Sequence, residues 1–487
     1  MTVAARYETT VGLEIHVELK TESKMFCGCA VAFAGEPNTR TCPVCLGLPG
    51  TLPVPNARAV DYTIRIGRAL GCDIARRSLF HRKNYFYPDM PKNYQISQYD
   101  LPLCYGGAVE VHGEEGPVTV GITRVHLEED TGKSSHAGAT GRIRGSEYSL
   151  EDFNRAGTPL VEIVTEPDLH SVEDARAFVT ELRAILEALG VSDVRMEEGS
   201  LRVDANISVR RAGETEHGTK VEVKNMNSIR SVGRALAHEE ERQRAALASG
   251  ETLIQETRHF DERRGVTTPG RTKEVSSDYR YFPEPDLVPL EPDEAWVRAV
   301  DESLPEMPAE RRRRFLDQHG VSEREAGLLS QKRATGDWFE AAARSYGGEA
   351  KKIANWMLGD LYGLLNERGV ALTDGKVSPQ GLAALVEMID RGAISGKQAK
   401  GVLAAMLDSG KNPQTIADEQ GLEQISDSSA LAGIVDEVVA ANAEVADKVR
   451  AGNAGPMGFL VGQVMKKTRG RANPQMVNDL LRARLHS

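Results

Sequence analysis

Four cysteines form two close pairs, Cys27-x-Cys29 and Cys42-Pro-Val-Cys45, with twelve residues between the pairs. Two thiol pairs, each on a tight turn, are the ligand supply of a four-thiolate zinc knuckle. Because tetrahedral zinc with four protein ligands has no open position, Cys27, Cys29, Cys42 and Cys45 are expected to hold a structural Zn²⁺ in a knuckle spanning 27–45. Cys72 and Cys104 lack such spacing and read as buried, inert thiols.

A second kind of chemistry lies in alternating segments. In Val11-Gly12-Leu13-Glu14-Ile15-His16-Val17-Glu18-Leu19 the apolar residues share one face of a strand and Glu14, His16 and Glu18 the other. That face is either a wet edge or a reaction surface. Arg202-Val203-Asp204-Ala205-Asn206-Ile207-Ser208-Val209 and Val221-Glu222-Val223-Lys224 repeat the pattern, and three such strands favour the reaction surface. Glu162 interrupts the apolar run Pro159–Val164, where a carboxylate is costly unless paired or bound to metal. Glu128-Glu129-Asp130-Thr131-Gly132-Lys133-Ser134 sets three carboxylates before a Gly-Lys-Ser turn. The Walker pattern needs glycine where Leu127 stands, so an ordinary P-loop is excluded. What remains is an oxygen-ligand supply suited to Mg²⁺ and phosphate, or a solvated acidic turn. Arg82-Lys83-Asn84-Tyr85-Phe86-Tyr87 interleaves cations with rings, as a nucleotide or RNA-end site would, or as a packed aromatic loop would. With no Gly-x-Ser-x-Gly elbow and the clustered cysteines committed to metal, the expected chemistry is phosphoryl transfer or metal-assisted activation rather than acyl transfer.

These groups need scaffolding. To about residue 290 the chain mixes short strands with Gly- and Pro-rich turns, which reads as one large α+β domain, 1–293. Its clearest helices start at Ser171, stopping at Gly190, and cover 229–248. The proline-rich stretch 281–289 reads as a stiff exit. Helical periodicity then dominates, with a break at Gly410-Lys411-Asn412-Pro413 that divides a helical domain, 294–408, from a small helical tail domain, 409–487. The net charge of −11 argues against bulk coating of nucleic acid. Locally the tail is basic, with Lys466, Lys467, Arg469 and Arg471, either a solvated helical face or an RNA-backbone contact. No apolar run approaches the roughly 20 residues of a membrane span, and the N-terminus carries no secretory pattern, so no membrane partner and a cytoplasmic location are the default expectation.

Seven segments, VGLEIHVELKTESKMFCGC, RKNYFYPDMPKNYQISQYD, HLEEDTGKSSH, DFNRAGTPLVEIVTEPD, MEEGSLRVDANIS, DYRYFPEPDLVPL and GFLVGQVMKKTRGRANPQ, stand in the order found in one family. Over essentially its whole length the chain resembles the B subunit of aspartyl/glutamyl-tRNA(Asn/Gln) amidotransferases. The resemblance implies a cradle-shaped kinase domain, a helical domain and a YqeY-like tail that holds tRNA. It implies ATP- and Mg²⁺-dependent phosphorylation of the side-chain carboxylate of Glu-tRNA(Gln) or Asp-tRNA(Asn), then amidation by ammonia from a glutaminase A subunit in a heterotrimer with a small C subunit. Carried over by position, Glu14, His16, Glu129, Glu162, Asp204 and Glu222 become the catalytic cluster, with Glu14, His16, Glu129 and Asp204 on Mg²⁺ and Glu128 a weaker candidate. Lys83 and Lys224 are expected to contact phosphate. The rival reading is a non-catalytic tRNA-binding scaffold.

Overall fold

The computed structural model describes residues 6–137, 146–270, 279–422, 428–451, 455–468, 472 and 474–485. Two compact units result, Met1–Pro308 and Ala309–Ser487.

The first unit contains β1 (Tyr7–Glu18), β2 (Asp73–Ile74), β3 (His81–Asn84), β4 (Tyr94–Ser97), β5 (Cys104–Gly113), β6 (Gly116–Glu129), β7 (Lys133–Ala137), β8 (Tyr148–Asp152), β9 (Pro159–Thr165), β10 (Leu201–Arg211), β11 (Val221–Met226), β12 (Thr257–Asp261), β13 (Val266–Pro269) and β14 (Phe282–Pro283). Nine of them form one mixed sheet in the order β13-β12-β11-β10-β1-β9-β6-β5-β2, antiparallel except for the β11/β12 pair. A small sheet, β14-β3-β4, and the β7-β8 hairpin stand beside it.

Alternation along the strands decides which face is covered. Val11, Leu13, Ile15, Val17 and Leu19 of β1 and Val203, Ala205 and Ile207 of β10 are buried in one core with helices α1 (Ala57–Ala69), α2 (Val172–Leu189) and α3 (Ile229–Ser249). Each of these Val, Leu and Ile side chains contributes about 2 kcal/mol on leaving water, and the polar residues that alternate with them take the opposite face. The α2 start differs in one detail from a full capping box. Ser171 accepts from the Asp174 amide, but the Asp174 carboxylate takes the Glu114 amide instead of returning to Ser171. Gly190 ends the helix at φ 67°, as the sequence predicts. Gly67 lets α1 lie against β5, since a Cβ there would meet the buried Cys104 sulfur at 2.5 Å.

The proline-rich stretch is not a free exit. Its β14 pairs with β3, buried Glu284 accepts two hydrogen bonds from Arg82 at 2.6 and 2.8 Å, and Leu287 and Leu290 pack on the first core. Helix α4 (Glu294–Ser303) follows, with Trp296, Val300 and Leu304 against the same core.

The second unit is helical. One core, including Phe315, Phe339, Met357, Leu382 and Leu403, is built by α5 (Pro308–His319), α6 (Glu323–Ser330), α7 (Arg333–Ser345), α8 (Ala350–Asn355), a wider π turn (Trp356–Leu361), α9 (Tyr362–Arg368), α10 (Pro379–Asp390), α11 (Gly396–Ser409) and α12 (Pro413–Glu419). Another, including Leu431, Val435, Leu460 and Leu481, belongs to α13 (Ser428–Ala441), α14 (Ala443–Arg450), α15 (Met457–Lys467) and α16 (Pro474–Leu485). The molecule is therefore α+β, a large mixed sheet followed by helices. Among the described residues no helix is long and apolar enough to cross a membrane.

Candidate active site

Strand register gathers the polar face. His16 of β1 lies between Glu162 of β9 and Arg202 of β10, and Glu162 in turn lies beside His126 of β6. One row along, Glu14 stands opposite Asp204, and one further, Asn206 opposes Glu222 of β11. A bulge in the β10/β11 pairing, with Asn225 at φ 70°, accompanies the placing of Lys224 within 2.6 Å of Asp204 and 3.6 Å of Glu222.

The centre of this face is a group of two carboxylates and two imidazoles. His16 Nε2 is 3.4 Å from Glu162 and 3.7 Å from Glu128, while His126 Nε2 is 3.7 Å from Glu162 and 3.9 Å from Glu128. Ligand atoms of His16, Glu128 and Glu162 lie within 4.8 Å of one another and could hold a metal ion. Burial alone would lower His16, but its hydrogen bond to Glu162 and the charges of Glu162, Glu128 and Asp204 raise it to about 9. Burial pushes His126 down to about 4 and, with the Glu162 charge, pushes Glu128 up. Against the effect of burial, His126, His16 and Lys83 hold Glu162 well below the usual carboxylate range. Lys83 is drawn up, burial notwithstanding, by Tyr281, Glu128 and Glu162. Next to this group, buried Asp130 is held at about 2 by Arg202 and Arg155 against its desolvation. Glu18 is raised to about 8 by burial and by Asp130, so it belongs to the polar cluster.

The face is also incompletely satisfied. Among the described residues, His126 Nδ1, Arg124 Nε, Arg202 Nε and Asn206 Oδ1 are buried without a hydrogen-bond partner. Orphaned polar atoms around a ligand-spaced trio fit a divalent ion and an anionic substrate.

Of the residues expected from the sequence, Glu14, His16, Glu162, Asp204, Glu222, Lys83 and Lys224 come together here. Glu129 does not. It follows Glu128 on β6, so the pleat turns it to the side of Val125 and Leu127, where it is buried against Lys92 and accepts the Ile96 amide at 2.9 Å. The Mg²⁺ set of Glu14, His16, Glu129 and Asp204 is thus not the set at ligand spacing. His126 is not among the residues expected from the sequence, and Glu128, the weaker candidate there, is the carboxylate at ligand spacing with His16 and Glu162. The signal is present in Arg124-Val125-His126-Leu127-Glu128, whose alternation puts the arginine, histidine and glutamate on one face. Arg82, in the same aromatic run as Lys83, is committed to Glu284.

On the other side stands the knuckle. The sulfurs of Cys27, Cys29, Cys42 and Cys45 lie within 4.8 Å of one another and could hold a metal ion. The Cys45 sulfur accepts the Cys42 amide at 3.2 Å, closing the second turn. A hydrogen bond from Cys27 draws Cys45 down to about 4 while pushing Cys27 up, and burial raises Cys29 to about 11, so the sulfurs compete for protons that a bound cation would displace. Cys72 and Cys104 are buried and free. In the tail, Lys466 is exposed and Lys467 pairs with Glu437; Arg469 and Arg471 lie outside the described residues.

A sheet with one face sealed by helices and the other crowded with ligand-spaced titratable groups has the layout of a catalytic domain. Residues 9–298 match the family model described as the GatB/GatE catalytic domain. Residues 337–485 match the model described as the GatB domain, and the chain belongs to the GatB family. The B subunit of the aspartyl/glutamyl-tRNA(Asn/Gln) amidotransferase of Moorella thermoacetica is 53% identical over 479 residues, covering 98% of this chain and 100% of that protein. The proteins of the same name from Thermoanaerobacter sp. (strain X514) and Carboxydothermus hydrogenoformans are 50% and 49% identical, each over at least 98% of this chain and 99% of their own length.

Proposed function

We propose that this chain is the subunit of a tRNA-dependent amidotransferase that activates the side-chain carboxylate of misacylated Glu-tRNA(Gln) or Asp-tRNA(Asn) by ATP-dependent phosphorylation. Ammonia from a glutaminase A subunit then displaces phosphate, the three-subunit assembly being completed by a small C subunit. The observation that carries this reading is the polar sheet face centred on His16, Glu128 and Glu162, with Lys83, Arg124 and Arg202 around it. A carboxylate resists ammonia because oxide is a poor leaving group, and converting it to an acyl phosphate needs charge stabilisation more than covalent help.

Glu128, Glu162 and His16 would hold the Mg²⁺, with Glu14 and Asp204 beside them. Mg²⁺ there would neutralise charge on the transferring phosphoryl group. Lys83 and Lys224 would meet phosphate oxygens, Lys224 exchanging its Asp204 contact for them. Arg202 anchors Asp130 and keeps its Nε free toward the same face. The four cysteines would hold a structural Zn²⁺, and the α13–α16 core would be a separate tRNA-holding tail that presents the exposed Lys466. A scaffold without activity has no use for buried unpaired groups beside two carboxylates, which would cost stability with nothing gained.

The test is chemical trapping. Assembled complex, ATP and Glu-tRNA(Gln) or Asp-tRNA(Asn), with hydroxylamine in place of glutamine, should yield the side-chain hydroxamate of the charged amino acid. ATP-independent product, or none while glutamine-dependent amidation proceeds, would sink the acyl-phosphate reading. Comparing the two tRNAs fixes the substrate.

A further inference from the structure

Lys24 is the most deeply buried cation among the described residues, 1% exposed. Its ammonium donates to the Phe153 carbonyl at 3.1 Å and to the Cys45 sulfur at 3.7 Å. Among the described residues no carboxylate oxygen lies within 4.0 Å of it. An ammonium taken out of water without an anion is strongly disfavoured, so its counter-charge must be sought in its surroundings. The sulfur cluster supplies one: Zn²⁺ held by four thiolates keeps two negative charges in excess.

We propose that Lys24 is the counter-cation of the four-cysteine centre and the tie through which the bound metal fixes the turn 153–158. The inference rests on the zinc reading above. The turn is joined to this segment twice, by the Lys24 ammonium on the Phe153 carbonyl and by the amide of the next residue, Met25, on the Gly157 carbonyl at 2.7 Å. Gly157 holds φ 85° where an added Cβ would lie 3.5 Å from Lys24 Cδ, 3.6 Å from Cys45 Cβ and 3.8 Å from Glu129 Oε2, so turn, lysine and thiolate are packed as one piece, and the nearby Glu129 carboxylate is already paired with Lys92. The Gly157 amide donates to the Asp130 carbonyl at 2.9 Å, and Arg155 in the same turn donates to the carbonyls of Thr131 and Gly132. Asp130 is the residue that Arg202 reaches from the polar face. A lysine acting only as a hydrogen-bond donor to Phe153 would leave metal retention indifferent to its charge.

The test uses the full chain. Bound zinc is measured by mass spectrometry and its transfer to a chromophoric chelator is followed for wild type, Lys24→Met and Lys24→Arg. Folded Lys24→Met should hold zinc about 10- to 100-fold more weakly, the range for loss of a residue supporting metal ligands, with Lys24→Arg close to wild type. Equal retention by wild type and Lys24→Met overturns the inference and leaves the zinc reading intact. A wild-type chain that neither carries nor takes up zinc overturns both. Should Lys24→Met fail to fold, hydrogen exchange decides on wild type alone: stripping zinc should raise exchange at 153–158, and unchanged protection overturns the tie.

Discussion

Glu128 and Glu129 are neighbours on one strand, yet the sheet gives them opposite surroundings. Glu128 lies 3.7 Å from His16 and 3.9 Å from His126, has a Glu162 oxygen within 4.8 Å, and takes one short contact among the described residues, from Ser97 at 3.2 Å. Glu129 is paired, its Oε1 accepting from both Lys92 and the Ile96 amide. The polar face holds like-charged carboxylates together beside orphaned atoms, whereas Glu129 itself is paired with Lys92. A group of buried charges left partly unpaired marks a place prepared for a ligand, and a paired one serves the fold.

The sharpest way to break this contrast is activity. Glu128→Gln should lower carboxylate activation about 100- to 1000-fold, the scale for losing one group that stabilises transition-state charge, measured as hydroxamate formation by the assembled complex. A rate within twofold of wild type would remove Glu128 from the site. Stability should move the other way. Glu129→Gln strands Lys92 in a buried pair and is expected to cost about 3–5 kcal/mol in urea unfolding, whereas Glu128→Gln removes a charge that Glu162 repels and should be neutral or stabilising. Equal destabilisation by the two would erase the distinction between the faces.

The pH dependence sharpens it further. His16 is raised from 6.5 to about 9, so the stability it lends is complete below pH 6.5 and lost as pH climbs through 9. Glu18, raised from 4.5 to about 8, also binds its proton more tightly when folded, so its share falls between those values. Without divalent ions the first unit should therefore weaken from pH 4.5 to 9 on account of these two groups. His16→Gln should flatten the upper part of the urea-midpoint profile and Glu18→Gln the lower part; curves superimposable on wild type would refute the assignment. The smallest effect expected is at the bulge, where Asn225→Ala, held at φ 70° and losing the 3.0 Å bond from the Asn225 side-chain amide to the Phe260 carbonyl, should cost about 1–2 kcal/mol and shift the Lys224 contact, while Asn225→Gly, which relieves the backbone, costs less.

Much of this could be read in the residues. The alternation of β1, β10 and β11 put Glu14, His16, Asp204, Glu222 and Lys224 on one polar face, as the register has them, because each strand has a strict apolar partner face and a one-residue slip would expose the core. Helix ends were legible at Ser171 and Gly190 from capping chemistry. Which of Glu128 and Glu129 reaches ligand spacing was not legible, because three successive carboxylates before a glycine look like a loop, and β6 carries a register shift between Ile122 and Arg124 that appears only in its pairing with β9. His126 went unnoticed for the same reason. The role of 281–289 depends on Glu284 meeting Arg82 some 200 residues earlier, a contact that local pattern does not contain.

The most direct measurement is Mn²⁺ binding, followed by electron paramagnetic resonance, to wild type, Glu128→Gln and Glu129→Gln of the full chain. We expect Glu128→Gln to weaken binding at least tenfold while folded Glu129→Gln stays near wild type. Weakening by Glu129→Gln with Glu128→Gln unaffected would move the metal to the other face and contradict the site described above.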